Sequence, residues 1–127
     1  MKQKDFFLSL KSKKDISRIF SSGEKIYSKN ILVRYLLSQE STGLPWKAAF
    51  ALPKKELGAV GRNRLRRICK SALYQAMKNL FLSSHFDPTR SYDIVVHARE
   101  RFNEISEHER ILEFEGLISR LSKMEMK

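Results

Sequence analysis

An α+β layered domain is the fold class this sequence predicts, and three observations predict it. Apolar residues alternate with a period of two between Glu24 and Pro53. They switch to helical spacing from Ala59 to about Leu80, and a further apolar run follows at Tyr92–Arg99. The resulting order is helix, three strands, helix, strand, helix, in a single domain over residues 1–127 with its core at about residues 8–122.

Each element has a local cause. Ser12 to Gly23 reads as a short helix: Ser12 can cap it, Asp15 suits its positive N-terminal end, and Gly23 can stop it. Ile16, Ile19 and Phe20 fall on one face of that helix. Lys25-Ile26-Tyr27 forms a short strand, and Ile31–Leu37 a longer one rich in β-branched and aromatic residues. Residues 38–45, with Gly43 and Pro45, are a loop, and Trp46–Leu52 is a third strand closed by Pro53.

The second helix carries the strongest pattern. Counted at 100° per residue from Arg62, its apolar residues Leu65, Ile68, Cys69, Ala72 and Ala76 lie between about 240° and 340°. Arg66, Lys70, Asn63, Arg67, Lys78 and Arg64 fill the arc from about 40° to 200°, with Arg62 at its boundary. Residues 85–91, with Pro88, form a connector, and Tyr92–Arg99 is apolar enough to be a central strand. Ser106 and Glu109 make a capping box for a last helix, whose core face is Ile111, Leu112, Phe114, Leu117, Ile118 and Leu121.

A formal charge of +11 and a pI near 10 favour an anionic partner. The charge is uneven: residues 1–99 hold 20 Lys+Arg against 7 Asp+Glu, whereas residues 100–127 hold 5 against 7. The C-terminal segment is therefore not expected to share the binding surface. Arg62 to Lys70 packs five cations and an amide into nine residues, and no acid occurs from Leu57 to Ser84. A solvated helix face is the plain alternative. The density of the run and the apolar stripe threaded through it favour a nucleic-acid contact. Arginine predominates over lysine, which suits fork-like phosphate contacts, and the helix N-terminus adds free amides. On the strands and first helix, Phe20, Tyr27, Tyr35, Trp46 and Phe50 are candidates either to stack unpaired bases or to fill the core.

Other functions lack their residues. Seven of the 14 acids lie in the last 28 residues, mostly spaced as a solvated helix face, so paired carboxylates for a protein nuclease are missing. His85, His97 and His108 have no metal-ligand spacing, no Gly-x-x-x-x-Gly-Lys-Ser/Thr loop occurs, and Gly58 and Gly61 make no dinucleotide fingerprint. Cys69 falls in the apolar stripe, as a small core residue does, and a lone cysteine suits a reducing compartment. Phe6-Phe7-Leu8 is too short for a signal peptide, and no run approaches the roughly 20 apolar residues of a membrane span. A soluble cytoplasmic binder is expected, with no membrane partner, no small-molecule cofactor and no catalytic or metal-ligating residue of its own.

Phe50-Ala51-Leu52-Pro53-Lys54-Lys55, followed by Ala59-Val60-Gly61-Arg62-Asn63-Arg64-Leu65-Arg66-Arg67, resembles the signature of the protein subunit of bacterial ribonuclease P. Asp15–Gly23 looks like that family's first helix and Tyr92–Arg99 like its last strand, so the resemblance covers about residues 8–120. It implies a two-layer, four-stranded, mainly antiparallel sheet with three helices, similar to a domain of elongation factor G and of a small-subunit ribosomal protein. The crossover through the Arg-Asn-Arg helix would be left-handed, against the usual rule.

The resemblance also implies an activity, removal of the 5′ leader of precursor tRNA, with Mg2+ held mainly by the catalytic RNA subunit. Arg62, Asn63, Arg64, Arg66, Arg67, Lys70, Lys54 and Lys55 would contact that RNA. Phe20, Ile16, Phe50 and one of Arg34 or Tyr35 would line a cleft for the single-stranded leader between the first helix and the sheet. The chain departs from the family at Ile16, where phenylalanine is usual, and at Gly58, which follows Leu57 where glycine usually comes earlier. A non-catalytic RNA-binding or ribosome-associated protein of the same fold is the alternative.

Overall fold

The computed structural model describes residues 6–38, 46–53, 58–83 and 91–124. In chain order they form β1 (Phe7–Ser9), α1 (Lys13–Ser22), β2 (Glu24–Tyr27), β3 (Ile31–Leu37), β4 (Trp46–Ala51), α2 (Ala59–Leu82), β5 (Tyr92–Ala98), a 3-10 turn (Glu100–Asn103) and α3 (Glu107–Met124). The helix boundaries follow their capping chemistry. The Ser12 hydroxyl accepts from the Asp15 amide at 3.3 Å, and the Gly23 amide closes α1 on the Ile19 carbonyl. At α3 the Glu109 amide donates to the Ser106 hydroxyl at 3.1 Å, while the Glu109 carboxylate accepts from the Ser106 amide at 3.4 Å.

The sheet departs from the expectation of four mainly antiparallel strands. It has five strands in the order β1-β4-β5-β3-β2 and is mixed. β1 with β4 and β4 with β5 are parallel, whereas β5 with β3 and β3 with β2 are antiparallel. The additional strand, β1, is three residues long, too short for any periodicity to register, and it holds the edge beside β4. β4 does not return beside β3; it pairs with β5, and α2 supplies the crossover that a parallel pair requires.

The layering also differs. On one face, Ile31, Val33, Tyr35, Ala48, Ile94 and Val96 pack with Leu65, Cys69, Leu73 and Met77 of α2 and with Phe114, Leu117 and Ile118 of α3. On the other face, Val95, Leu36 and Ala49 pack with Leu10, Ile16 and Ile19. The two sets alternate along each strand, so α1 lies on the face opposite α2 and α3, and the expected two layers become three. Phe102, in the unexpected 3-10 turn, is fully buried edge-on against Phe114.

α3 also clamps the β2–β3 turn. The Glu113 carboxylate accepts from the Ser28 hydroxyl, from the Asn30 amide at 2.7 Å and from Asn30 Nδ2 at 3.1 Å. Arg120 donates to the Tyr27 carbonyl at 2.9 Å. At the other end of β2, Gly23 permits a close approach. A Cβ there would sit 2.5 Å from the Ile19 carbonyl oxygen and 2.8 Å from that of Tyr35, both backbone atoms. Gly23→Ala is expected to destabilise the domain by about 1–3 kcal/mol, because the end of α1 must move off β3. An unchanged urea midpoint would show that this junction is loose.

Candidate nucleic-acid interface

The α2 helix is built as the sequence pattern requires. Leu65, Cys69, Ala72, Leu73, Ala76, Met77 and Leu80 are buried, and burial pushes the Cys69 thiol up to about 12, against weaker opposing pulls from Arg110 and Arg66. That thiol is a packing group, not a nucleophile. Asn63, Arg64, Arg67 and Lys70 are exposed on the other side, and Arg62 and Arg66 are half-buried. Arg66 Nη1 donates to Asn63 Oδ1 at 3.0 Å, which holds one guanidinium along the helix surface. Gly58 starts the helix without a side-chain cap, and its first turn carries no acid, so the positive end of the helix adds to the cationic face. Lys54 and Lys55 lie outside the described residues.

The second surface lies under α1. Phe20 is 47% exposed, its ring edge-on to His97 at 5.9 Å, with the Arg34 guanidinium 4.7 Å from its centroid. Arg34 and His97 also line a groove of about 430 Å³ walled by Tyr27, Ser28 and Leu32. A neighbouring groove of about 520 Å³ shares His97 and Arg99 and continues to Leu52, Pro53 and Arg101. Arg34 Nε and His97 Nε2 are both buried without a hydrogen-bond partner among the described residues. Burial, with a further push from Arg34, holds His97 below its ordinary range, so the imidazole is neutral near pH 7. The cationic helix begins within reach of this groove: Pro53 and Gly58 are five residues apart in sequence, which can span at most about 18 Å.

Strand phase separates the expected cleft residues. Arg34 faces α1, whereas Tyr35 is 6% exposed on the opposite face, edge-on to Tyr92. Phe50 is half-buried on that opposite face as well, against Phe7. Tyr35 and Phe50 are therefore not brought together with Phe20. Ile16 is half-buried against Ile19 and Val95, in apolar packing under α1. Of the other aromatics, Tyr27 is exposed and Trp46 is buried.

The sequence profile of the Ribonuclease P family matches residues 7–122. The chain belongs to the ribonuclease P family. Among solved structures it is similar in fold to the RNase P protein of Thermotoga maritima, with a TM-score of 0.68, 18% identity, and coverage of 89% of this chain and 96% of that one. It is likewise similar to the RNase P protein of Staphylococcus aureus, with a TM-score of 0.64, 21% identity, and coverage of 94% and 97%. Curated protein sequences gave no match.

Within this ribonuclease P fold, the described residues bring no three His, Cys, Asp or Glu side chains together as a metal site. No described helix is long and apolar enough to cross a membrane. Two features escaped the sequence reading. His97 joins Phe20 and Arg34, and its signal was the polar–apolar–polar series Asp93, Val95, His97 on every second residue of an otherwise apolar strand. Glu107 and Arg110, in the segment set aside as acidic, line a pocket with Arg64 and Arg67.

Asp93, on the α1 face of β5, is buried, and burial raises its pKa above the ordinary carboxylate value; Lys47 and Arg18 oppose the rise and Asp15 adds to it. A raised carboxyl favours folding while protonated, so its contribution is present below about pH 3.8 and is lost as pH rises through its folded pKa. Asp93→Asn is expected to raise Tm at pH 7 and to leave it unchanged near pH 3. A lower Tm at pH 7 would mean that Lys47 and Arg18 outweigh desolvation.

Proposed function

We propose that this chain is the protein subunit of ribonuclease P, binding the catalytic RNA through α2 and the single-stranded 5′ leader of precursor tRNA through the α1 groove. The observation that carries the reading is a cationic face, Asn63, Arg64, Arg66, Arg67 and Lys70, on a helix whose other side is core, in a chain of the ribonuclease P family. On the family motif, Arg62, Lys54 and Lys55 join the proposed contact with the catalytic RNA. In this reading the crossover through α2 is left-handed, and the holoenzyme works in the cytoplasm.

The chain's own work is positioning. Guanidiniums on α2 bind phosphate oxygens, and each contact releases counterions, so four contacts would lower affinity about 50- to 150-fold between 50 and 200 mM salt. Phe20 offers its exposed ring for base stacking, and the orphaned polar atoms of Arg34 and His97 can gain partners from a nucleotide. Magnesium held by the RNA supplies the hydrolytic chemistry, and no step is assigned to a side chain of this protein.

Mixed with a bacterial ribonuclease P RNA at low magnesium, the protein should restore cleavage of a precursor tRNA at its mature 5′ end. Binding to that RNA without stimulated cleavage would favour a non-catalytic RNA-binding protein of the same fold instead. Arg67→Ala should weaken association with the RNA and reduce the slope of log affinity against log salt by about one unit. Phe20→Ala should lessen the preference for precursor over mature tRNA with little change in Tm; equal weakening of both substrates would make Phe20 a packing residue.

A further inference from the structure

The cationic arc of α2 divides into two edges. Arg66 and Lys70 follow one edge, beside Asn63, whereas Arg64, Arg67 and Ser71 follow the other, which faces the start of α3. On that second edge a pocket of about 460 Å³ is lined by Arg64, Arg67, Ser71, Glu107 and Arg110. Arg110 is aimed by its own helix entrance, since Nη1 donates to the Ile105 carbonyl at 3.0 Å and leaves the other guanidinium donors free of described hydrogen bonds. Among the described residues neither Arg64 nor Arg67 has an ion-pair or hydrogen-bond partner, and Glu107 is not paired with any of the three arginines. Three guanidiniums thus meet in one concavity with only one carboxylate beside them, an arrangement of mutual repulsion that a bound anion relieves.

We infer that this pocket between α2 and α3 takes a backbone phosphate of the catalytic RNA, with Arg110 as a phosphate ligand contributed by the otherwise acidic C-terminal helix. The inference rests on the reading of the chain as the ribonuclease P protein subunit and adds α3 to the surface that reading uses. A pocket of this size admits a phosphodiester and its ribose, and forked donors on two helices hold such a group more rigidly than one helix face can. Glu107 has the opposite sign to its neighbours. It limits how tightly the pocket holds an anion and keeps the free protein's arginines from full mutual repulsion.

The test measures affinity of the full-length protein for a bacterial ribonuclease P RNA across a salt series. Arg110→Ala should weaken binding roughly 3- to 10-fold at 0.1 M salt and reduce the salt slope by about one unit. Arg110→Lys, which keeps the charge, should retain the slope while losing part of the affinity. Glu107→Gln should tighten binding about two- to threefold at low salt. The preference for precursor over mature tRNA should be the same in all three variants, because the α1 groove is on the other face of the sheet.

If Arg110→Ala leaves affinity and slope unchanged while Arg67→Ala lowers both, α3 takes no part and the inference is overturned. The same holds if Glu107→Gln weakens binding. If the Arg67 variant is silent as well, the reading of α2 as the RNA-docking helix fails first. A fall in affinity at constant slope, with a lowered Tm, would make Arg110 a support for the Ile105 turn and likewise overturn the proposal.

Discussion

From Tyr92 to Val96, β5 is buried at every residue, and the rest of the molecule is arranged around that double burial. Tyr92, Ile94 and Val96 are part of the core that receives α2 and α3, while Val95, between them, belongs to the cluster that receives α1. A one-residue slip of this strand would exchange the two sets, driving Asp93 and His97 into the main core and Ile94 and Val96 under α1. Parallel pairing to β4 and antiparallel pairing to β3 fix the register from both sides. The same strand that fills the core therefore sets His97 beneath Phe20, so the groove's floor is as rigid as the fold itself.

The two candidate surfaces obey different physics. On α2 the cations Arg64, Arg67 and Lys70 are exposed, and the helix is held by its buried stripe, not by charge. Screening by salt reduces their pull on a polyanion while costing the fold little. Under α1 the polar groups are few and partly desolvated: a neutral imidazole, a half-buried guanidinium and an exposed ring that touches both. Contacts there respond to shape and to hydrogen-bond matching more than to ionic strength. In the proposed function the first surface docks on a large RNA and the second discriminates a short single-stranded segment.

Much of this was legible in the sequence because it depended on local chemistry. The Ser12 cap, the Gly23 stop, the Ser106–Glu109 box and the apolar stripe of α2 are each written within one or two helical turns. What was not legible depended on partners far along the chain. Ile31–Leu37 alternates residues that suit either face, so composition could not decide between Arg34 and Tyr35; pairing with β5 decides it. β1 is recognisable only from the edge of β4 that it covers. Glu113 read as one of many solvated acids on an amphipathic helix. Its three acceptor contacts to Ser28 and Asn30 span more than 80 residues of sequence, and no periodicity reports such a bond. Arg110 was hidden by a net charge: a segment that is acidic on average can still carry one basic group to a basic neighbour.

The titratable groups bear on what kind of function this architecture can host. A general acid or base needs a group near its operating pH and exposed to a reacting atom. Cys69 is sealed in the core with its thiol raised far above neutrality, and Asp93 is buried under α1. His97 comes nearest, yet its pKa is driven down by desolvation and by Arg34, which makes it a poor proton store near pH 7 and a good neutral hydrogen-bonding group. The same burial that withdraws these groups from proton transfer gives them fixed positions. Rigid, desolvated polar atoms beside an exposed ring are better suited to holding a strand in register than to breaking it, and the dense arginines of α2 are better suited to docking than to chemistry. The division of labour in the proposed function matches where the fold buries charge: on that reading this chain orients RNA, and the RNA subunit breaks the bond.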